Sequence, residues 1–247
     1  MTYCVGILVR DGLTVIADTR TNAGLDNIAT FRKLHVFEAQ GERAVALATS
    51  GKLSISQAVL SHLHEGLQNP DTGQVETMLN VPSMFKAALL VGRAIRKVYD
   101  VDGKALEQQD MSFDMMALLG GQIGHDRMHL YQIYATGNFI EATRDTPFLQ
   151  IGEHKYGKPI LDRAIAHETD IGDALKIGLL SMDSTMRSNL GVGLPVDLAV
   201  IRRDALRLDL TFRIEPDEPY FRELRERWSK ALREAHLAIP RPPYLQD

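Results

Sequence analysis

The chain has one cysteine, Cys4, in 247 residues, so it can form no internal disulfide and no thiolate-rich zinc site. A lone thiol also agrees with a reducing compartment. There is no basic excess: the net charge is −4, so no positive field draws nucleic acid or an acidic membrane, and neither is expected as a partner. No apolar run approaches the ~18–20 residues of a membrane span. The N-terminus has no basic segment followed by an apolar stretch, so no signal peptide is expected, and a cytoplasmic location is. Internal repeats and low-complexity segments are also lacking. At 45% hydrophobic and 24% charged, the composition is that of an ordinary globular protein, and the length favours one α/β domain with a sizeable core over two small ones.

Residues 3–9 and 13–18 are β-rich runs joined by the hairpin turn Arg10-Asp11-Gly12. The first run is almost wholly apolar, as in a strand covered on both faces. Strands are predicted over 28–37 and 44–49, with a polar turn from Glu38 to Arg43. Helical spacing follows Ser50-Gly51, from Leu53 to Leu67, and again from Ser83 to Tyr99 with Phe85, Leu89, Leu90, Ala94, Ile95 and Val98 facing inward. Residues 100–110 are polar and show no stripe. Strands are predicted over 112–119 and 127–134, separated by Gly120-Gly121, and as short pieces over 139–143 and 148–152. Helices over 158–166 and 171–188 precede strands over 195–202 and 206–213.

Strand hairpins thus alternate with helix pairs, which argues against a doubly wound parallel sheet. The order predicts an α/β (α+β) fold: two antiparallel sheets with helix pairs on their outer faces, a four-layer α-β-β-α sandwich. Residues 1–213 form that domain, and 214–247 stand apart. Glu218 to Ala238 reads as a charged helix with Leu224, Trp228, Leu232 and Leu237 as its stripe, and three prolines then end it. Such a C-terminal helical extension either covers its own core or docks on a neighbouring subunit.

The opening carries the chemistry. Thr2 follows Met1; the strand–turn–strand ends in Asp18; Thr19-Arg20-Thr21-Asn22-Ala23-Gly24 leads on to Phe31-Arg32-Lys33-Leu34. This stretch resembles the N-terminus of proteasome-type β subunits, which belong to the N-terminal nucleophile hydrolases, and the details fit best the bacterial branch called Anbu. The resemblance implies the same four-layer fold. A threonine hydroxyl needs a base, and an N-terminal threonine carries one in its own α-amino group, with a pKa near ~8. A lysine cation raises the unprotonated fraction of that amine by like-charge repulsion. Lys33, on a strand beside the first, is the candidate, and Asp18 is the acid a buried lysine needs. The engine requires Met1 to be removed, because otherwise the nitrogen of Thr2 is an amide.

The resemblance runs through roughly residues 2–213. Ser50-Gly51 is similar to the place where the family's glycine, at a helix start, donates its N–H to the oxyanion. Leu118-Leu119-Gly120-Gly121 through Leu130-Tyr131 resembles its strand–Gly–strand element. In Leu149-Gln150-Ile151-Gly152-Glu153, Glu153 stands where active subunits carry a supporting serine. Near Thr185-Met186-Arg187-Ser188, Ser188 fits the pattern, but Thr185 stands where an aspartate is expected, with Asp183 two residues earlier. These departures bear on the accessory network and so on rate. The arm after 213 is similar to the Anbu extension.

Other signals read as structural: His62, His64 and Glu65 on a helix face, His125 and His129 at a turn, Gly191-Val192-Gly193 as a turn, Asp100 to Gly103 without the later ligands of a calcium loop. Cys4 reads as packed core. No metal or cofactor is expected. The expected function is a threonine-type endopeptidase acting on peptides or proteins, with Thr2, Asp18, Lys33, Gly51 and Ser188 catalytic and Glu153, Thr185 and Asp183 accessory. The rivals are a self-assembling proteasome-like protein with little or no protease activity, and an amidase on small amides. The resemblance implies a homo-oligomer, ring-like or helical, and leaves an unfoldase partner open.

Overall fold

The computed structural model describes residues 1–22 and 28–244; Ala23 and Gly24 of the opening stretch lie outside them. The chain begins with the hairpin β1 (Tyr3–Val9) and β2 (Gly12–Asp18), every residue of which is buried. The strand predicted over 28–37 is divided. A small ribbon, β3 (Arg20–Asn22) and β4 (Ile28–Thr30), comes first, then a three-residue link, then β5 (Leu34–Ala39). β6 (Arg43–Gly51) leads to α1 (Leu53–Glu65) and a minimal hairpin, β7 (Leu67–Gln68) with β8 (Val75–Glu76). In α2 (Met84–Val98) the Ser83 hydroxyl accepts from the Lys86 N–H and caps the first turn. Phe85, expected inside, is 51% exposed and packs edge-on against Phe139. Residues 100–110 are more helical than their polarity suggests: a π-helical turn (Tyr99–Gly103) runs into α3 (Lys104–Glu107).

Then come β9 (Met115–Ile123), β10 (His129–Ile133), β11 (Phe139–Glu141), β12 (Phe148–Gly152), α4 (Lys158–Ala164), α5 (Ile171–Ser188), β13 (Val196–Arg202), β14 (Leu210–Ile214) and α6 (Pro219–Ala238). Gly120 and Gly121 lie inside β9, not in a turn. The reason is space: a Cβ on Gly120 would lie 2.6 Å from Leu13 Cδ2, so the glycine admits a leucine from the facing sheet.

One antiparallel sheet has the order β12-β1-β2-β13-β14 and the other β11-β10-β9-β6-β5. Period-two alternation sorts their side chains into three apolar layers. From β1, Tyr3, Val5, Ile7 and Val9 pack on the α4–α5 side, while Cys4 and Leu8 enter the layer between the sheets. From β6, Val45 and Leu47 face α1 and α2, while Ala44, Ala46 and Ala48 face the other sheet. Three cores separate four layers, α-β-β-α, which is the architecture the element order predicts. Among the described residues no helix is long and apolar enough to cross a membrane.

The two halves of the C-terminal arm differ in burial. The Glu218 carboxylate caps α6, and Phe221 and Leu224 bury themselves against the α5 side of the core. Farther along, Leu232, Leu237 (78% exposed), Ile239 and Tyr244 are uncovered.

Candidate active site

Thr2 stands at the entrance to β1, where β12 ends. Tyr3 pairs with Gly152, and the Glu153 N–H donates to the Thr2 carbonyl at 2.7 Å. Gly152 has φ +80°, and a Cβ there would sit 1.9 Å from the Thr2 oxygen, so only glycine lets the two strands close here. On the other side the Tyr3 N–H donates to Asp18 Oδ1 at 3.0 Å. The Thr2–Tyr3 peptide is therefore held at both its polar groups.

Asp18, at the end of β2, has a fully buried side chain. Lys33 Nζ donates to Asp18 Oδ1 at 2.9 Å and to the Arg20 carbonyl at 2.6 Å, and the Arg20 N–H donates to Asp18 Oδ2 at 3.1 Å. Burial pushes the Asp18 carboxyl up from its ordinary range, while Lys33 and the N–H groups of Tyr3 and Gly193 pull it back. Lys33 lies in the link before β5 rather than on a strand. Its carbonyl accepts from Thr49 N–H at 3.0 Å, which joins it to β6.

Cys4 Sγ donates to the Thr49 carbonyl at 3.8 Å, wholly buried, and its thiol is pushed up by desolvation and then by the Asp18 charge. It is core, as expected. The residue between Cys4 and Thr2 plays a part that sequence reasoning missed: the Tyr3 hydroxyl meets Ser181 Oγ at 2.9 Å and receives the Gln150 amide at 2.5 Å, locking β1 to α5 and β12.

Gly51 closes β6 rather than opening the helix; α1 starts at Leu53. Its φ is +104° and a Cβ would fall 2.2 Å from the Asp114 carbonyl oxygen, so a side chain is excluded on both counts. Two clefts of about 610 and 640 Å3 flank Thr2, and both are lined by Met1, Thr2, Ser50 and Gly51. Glu153 lines the first and Lys33 the second. Thr2, Gly51 and Lys33 thus line one cleft.

The remaining residues separate from this cluster. Asp183 is fully buried on α5 and holds Arg225 at 2.5 Å and Arg187 at 3.1 Å, so it fastens the arm. The Thr185 hydroxyl donates to the Ser181 carbonyl at 2.9 Å inside the same helix. Ser188 is exposed at the end of α5 and lines neither cleft. The turn that follows reaches the site instead. Gly193 N–H serves Asp18, Thr19 N–H and Oγ1 donate to the Pro195 carbonyl at 3.1 and 2.6 Å, and Arg20 Nη1 donates to the Leu190 carbonyl at 2.9 Å. Gly191-Val192-Gly193, read as a plain turn, was the available signal. A Cβ on Gly191 would stand 2.6 Å from Met1 Cβ, and one on Gly193 would stand 2.4 Å from the Arg20 guanidinium carbon.

His62, His64 and Glu65 lie on α1, with His64 Nδ1 2.8 Å from the Leu60 carbonyl. His129 is buried against Glu141 at 2.7 Å, and His125 is exposed. Among the described residues no three His, Cys, Asp or Glu side chains converge as metal ligands would.

No family model and no curated protein matches the chain. Solved structures do. The chain is 42% identical to Anbu (ancestral beta-subunit) from Yersinia bercovieri, covering 96% of this chain and 97% of that one with a TM-score of 0.88. It is 46% identical to Anbu from Hyphomicrobium sp. strain MC1, covering 97% and 99% at a TM-score of 0.88. It is 44% identical to the subunit in the helical assembly of the Anbu complex from Pseudomonas aeruginosa, covering 98% of both chains at a TM-score of 0.90.

Proposed function

This chain belongs to the Anbu branch of proteasome-type β-subunit homologues, and on that ground we propose that it is a threonine-type N-terminal nucleophile hydrolase acting on peptide bonds. The observation that carries this reading is that Thr2, Gly51 and Lys33 line one cleft, with Lys33 held by Asp18 at 2.9 Å. Once Met1 is removed, the Thr2 amine takes the Oγ proton as Oγ attacks the carbonyl carbon. The Gly51 N–H faces the oxyanion. The amine returns its proton to the departing amine, leaving an acyl ester, which water cleaves with the same base. The Lys33 cation keeps the Thr2 amine unprotonated near neutral pH, and Asp18 keeps Lys33 in place.

A second reading has its own support. Ser188, Thr185 and Asp183 lie away from Thr2, and Glu153 replaces a supporting serine, so the accessory network is thin. In that reading the chain is chiefly an assembling protein. Homo-oligomerisation is supported in both readings by the uncovered apolar end of α6 and by the helical assembly of the Pseudomonas relative. The segment 214–247 is then the subunit contact.

The test is the intact mass of the purified protein with and without an electrophile that captures N-terminal threonine. A species lacking Met1 that gains one adduct, lost in Thr2→Ala with assembly unchanged, supports the hydrolase. A species that never reacts, with or without Met1, brings the assembly reading forward. Hydrolysis retained in Thr2→Ala would sink the mechanism.

A further inference from the structure

The two clefts beside Thr2 differ in charge. The cleft on the Lys33 side is lined by Arg32, Lys33 and Lys52, and by no carboxylate among the described residues. The cleft on the Glu153 side is lined by Asp114 and by Glu153, which Lys155 faces at 3.7 Å, with Lys158 already paired to Asp162 at 2.6 Å.

The cations on the Lys33 side are not equivalent. Lys33 is buried and already paired with Asp18 at 2.9 Å. Arg32 is 64% exposed and stands between this cleft and a neighbouring one that it lines with Asp197, which it approaches at 3.7 Å and which Arg213 already grips through two bonds of 2.7 and 2.8 Å. Lys52 has no carboxylate within 4.0 Å among the described residues. It sits at the N-cap of α1, whose first turn has no acidic residue, so the partial positive charge of the helix end adds to its own. Phe31, Leu53, Leu106 and Met111 supply apolar wall around these charges. Such walls limit solvent screening and strengthen the attraction for an anion.

Resting on the peptide-hydrolase reading of this groove, we propose that the Lys33-side cleft selects an acidic side chain, with Arg32 and Lys52 as its specificity-determining residues. The apolar wall takes the methylene stem of a glutamate, and the rim cations take its carboxylate. The acidic opposite cleft disfavours the same side chain there, so the groove sets the direction in which a peptide lies.

The test is equilibrium binding of fluorescent, C-terminally amidated tri-alanine peptides ending in Glu, Gln, Leu or Lys to the full-length Thr2→Ala protein, which cannot consume them. The Glu peptide should bind roughly tenfold tighter than the Gln peptide, and the Lys peptide weakest, as one or two half-screened charges allow. Lys52→Glu or Arg32→Glu should erase that preference, and Lys52→Gln and Arg32→Gln should halve it on a logarithmic scale if a charge reversal disturbs folding. Equal affinities within about twofold, a preference that survives both reversals, or no binding by any peptide at millimolar concentration would overturn the proposal. Adduct formation on wild-type Thr2 is read separately, so loss of the hydrolase reading leaves the affinity ratio as an independent result.

Discussion

Asp18 Oδ1 accepts both the Lys33 ammonium at 2.9 Å and the Tyr3 amide at 3.0 Å, so one carboxylate oxygen ties the buried cation to the residue next to Thr2. The reactivity proposed for Thr2 and the stability of the fold therefore meet at a single atom.

Removing either member of this pair leaves the other charge buried. Lys33→Met and Asp18→Asn should each cost ~3–5 kcal/mol, the usual penalty for breaking a buried pair. The double variant should recover most of that stability, because neither charge is then left alone. It should not recover adduct formation. Chemical denaturation of the four proteins gives the coupling, and a double variant no more stable than the singles would refute it.

Gly152→Ala should be more damaging than an average surface glycine change. Its Cβ would meet the Thr2 carbonyl oxygen at 1.9 Å, at a φ of +80°. We expect a loss of ~2–4 kcal/mol from overpacking and backbone strain. Gly41→Ala, at φ +79° with nothing within 4 Å, is the matched control and should cost only ~1 kcal/mol. Equal losses would show that contact with Thr2 is not the cause.

Alkaline pH should destabilise the fold. Burial pushes the Cys4 thiol and the Tyr3 hydroxyl up from their ordinary values. Below the unfolded values, ~8.5 for cysteine and ~10 for tyrosine, both states hold these protons and nothing changes. Above them the unfolded chain loses its protons while the folded one keeps them, so stability falls as pH rises through that window. Cys4→Ala should flatten the slope between about pH 8.5 and 10, measured by denaturant midpoints at each pH. Thiol alkylation of the native protein should be slow and follow unfolding.

Asp183→Asn should loosen the arm. The carboxylate is buried, but Arg225 and Arg187 are partly exposed, so the loss of stability should be only ~1–2 kcal/mol. Limited proteolysis should then cut within α6 earlier than in wild type. Truncation after Lys230 removes residues of which the described ones, 231–244, are all exposed, and should change stability by less than ~0.5 kcal/mol while altering the sedimentation profile. An unchanged oligomeric state after truncation would count against 214–247 as the subunit contact.

Much of this fold was legible because its signals are local. The apolar run from Tyr3 to Val9 marks a strand covered on both faces, and α5 has the predicted bounds, Ile171–Ser188. The layer order followed from strands and helices arriving in pairs. Local pattern misled where the reason for a residue lay in another element. Gly120-Gly121 looked like a break between strands because what fills their space comes from elsewhere, Leu13 of β2 beside Gly120 and the Ala44 carbonyl of β6 beside Gly121. Phe85 fitted the inward face of α2, yet it is half-exposed and meets the partly buried Phe139 edge-on. The Leu232 and Leu237 stripe was real, but it meets no core within its own chain.

By itself the sequence determined the chemical inventory: a threonine after Met1, an acid closing the second strand, a lysine fifteen residues on, and glycines where side chains are barred. Tertiary structure decided which of these meet. Asp18 and Asp183 are both buried carboxylates, yet one faces Lys33 beside Thr2 and the other fastens Arg225 on the arm. A buried charge takes whatever counter-charge packing brings within hydrogen-bond reach, and that depends on the register of strands and helices far apart in the chain.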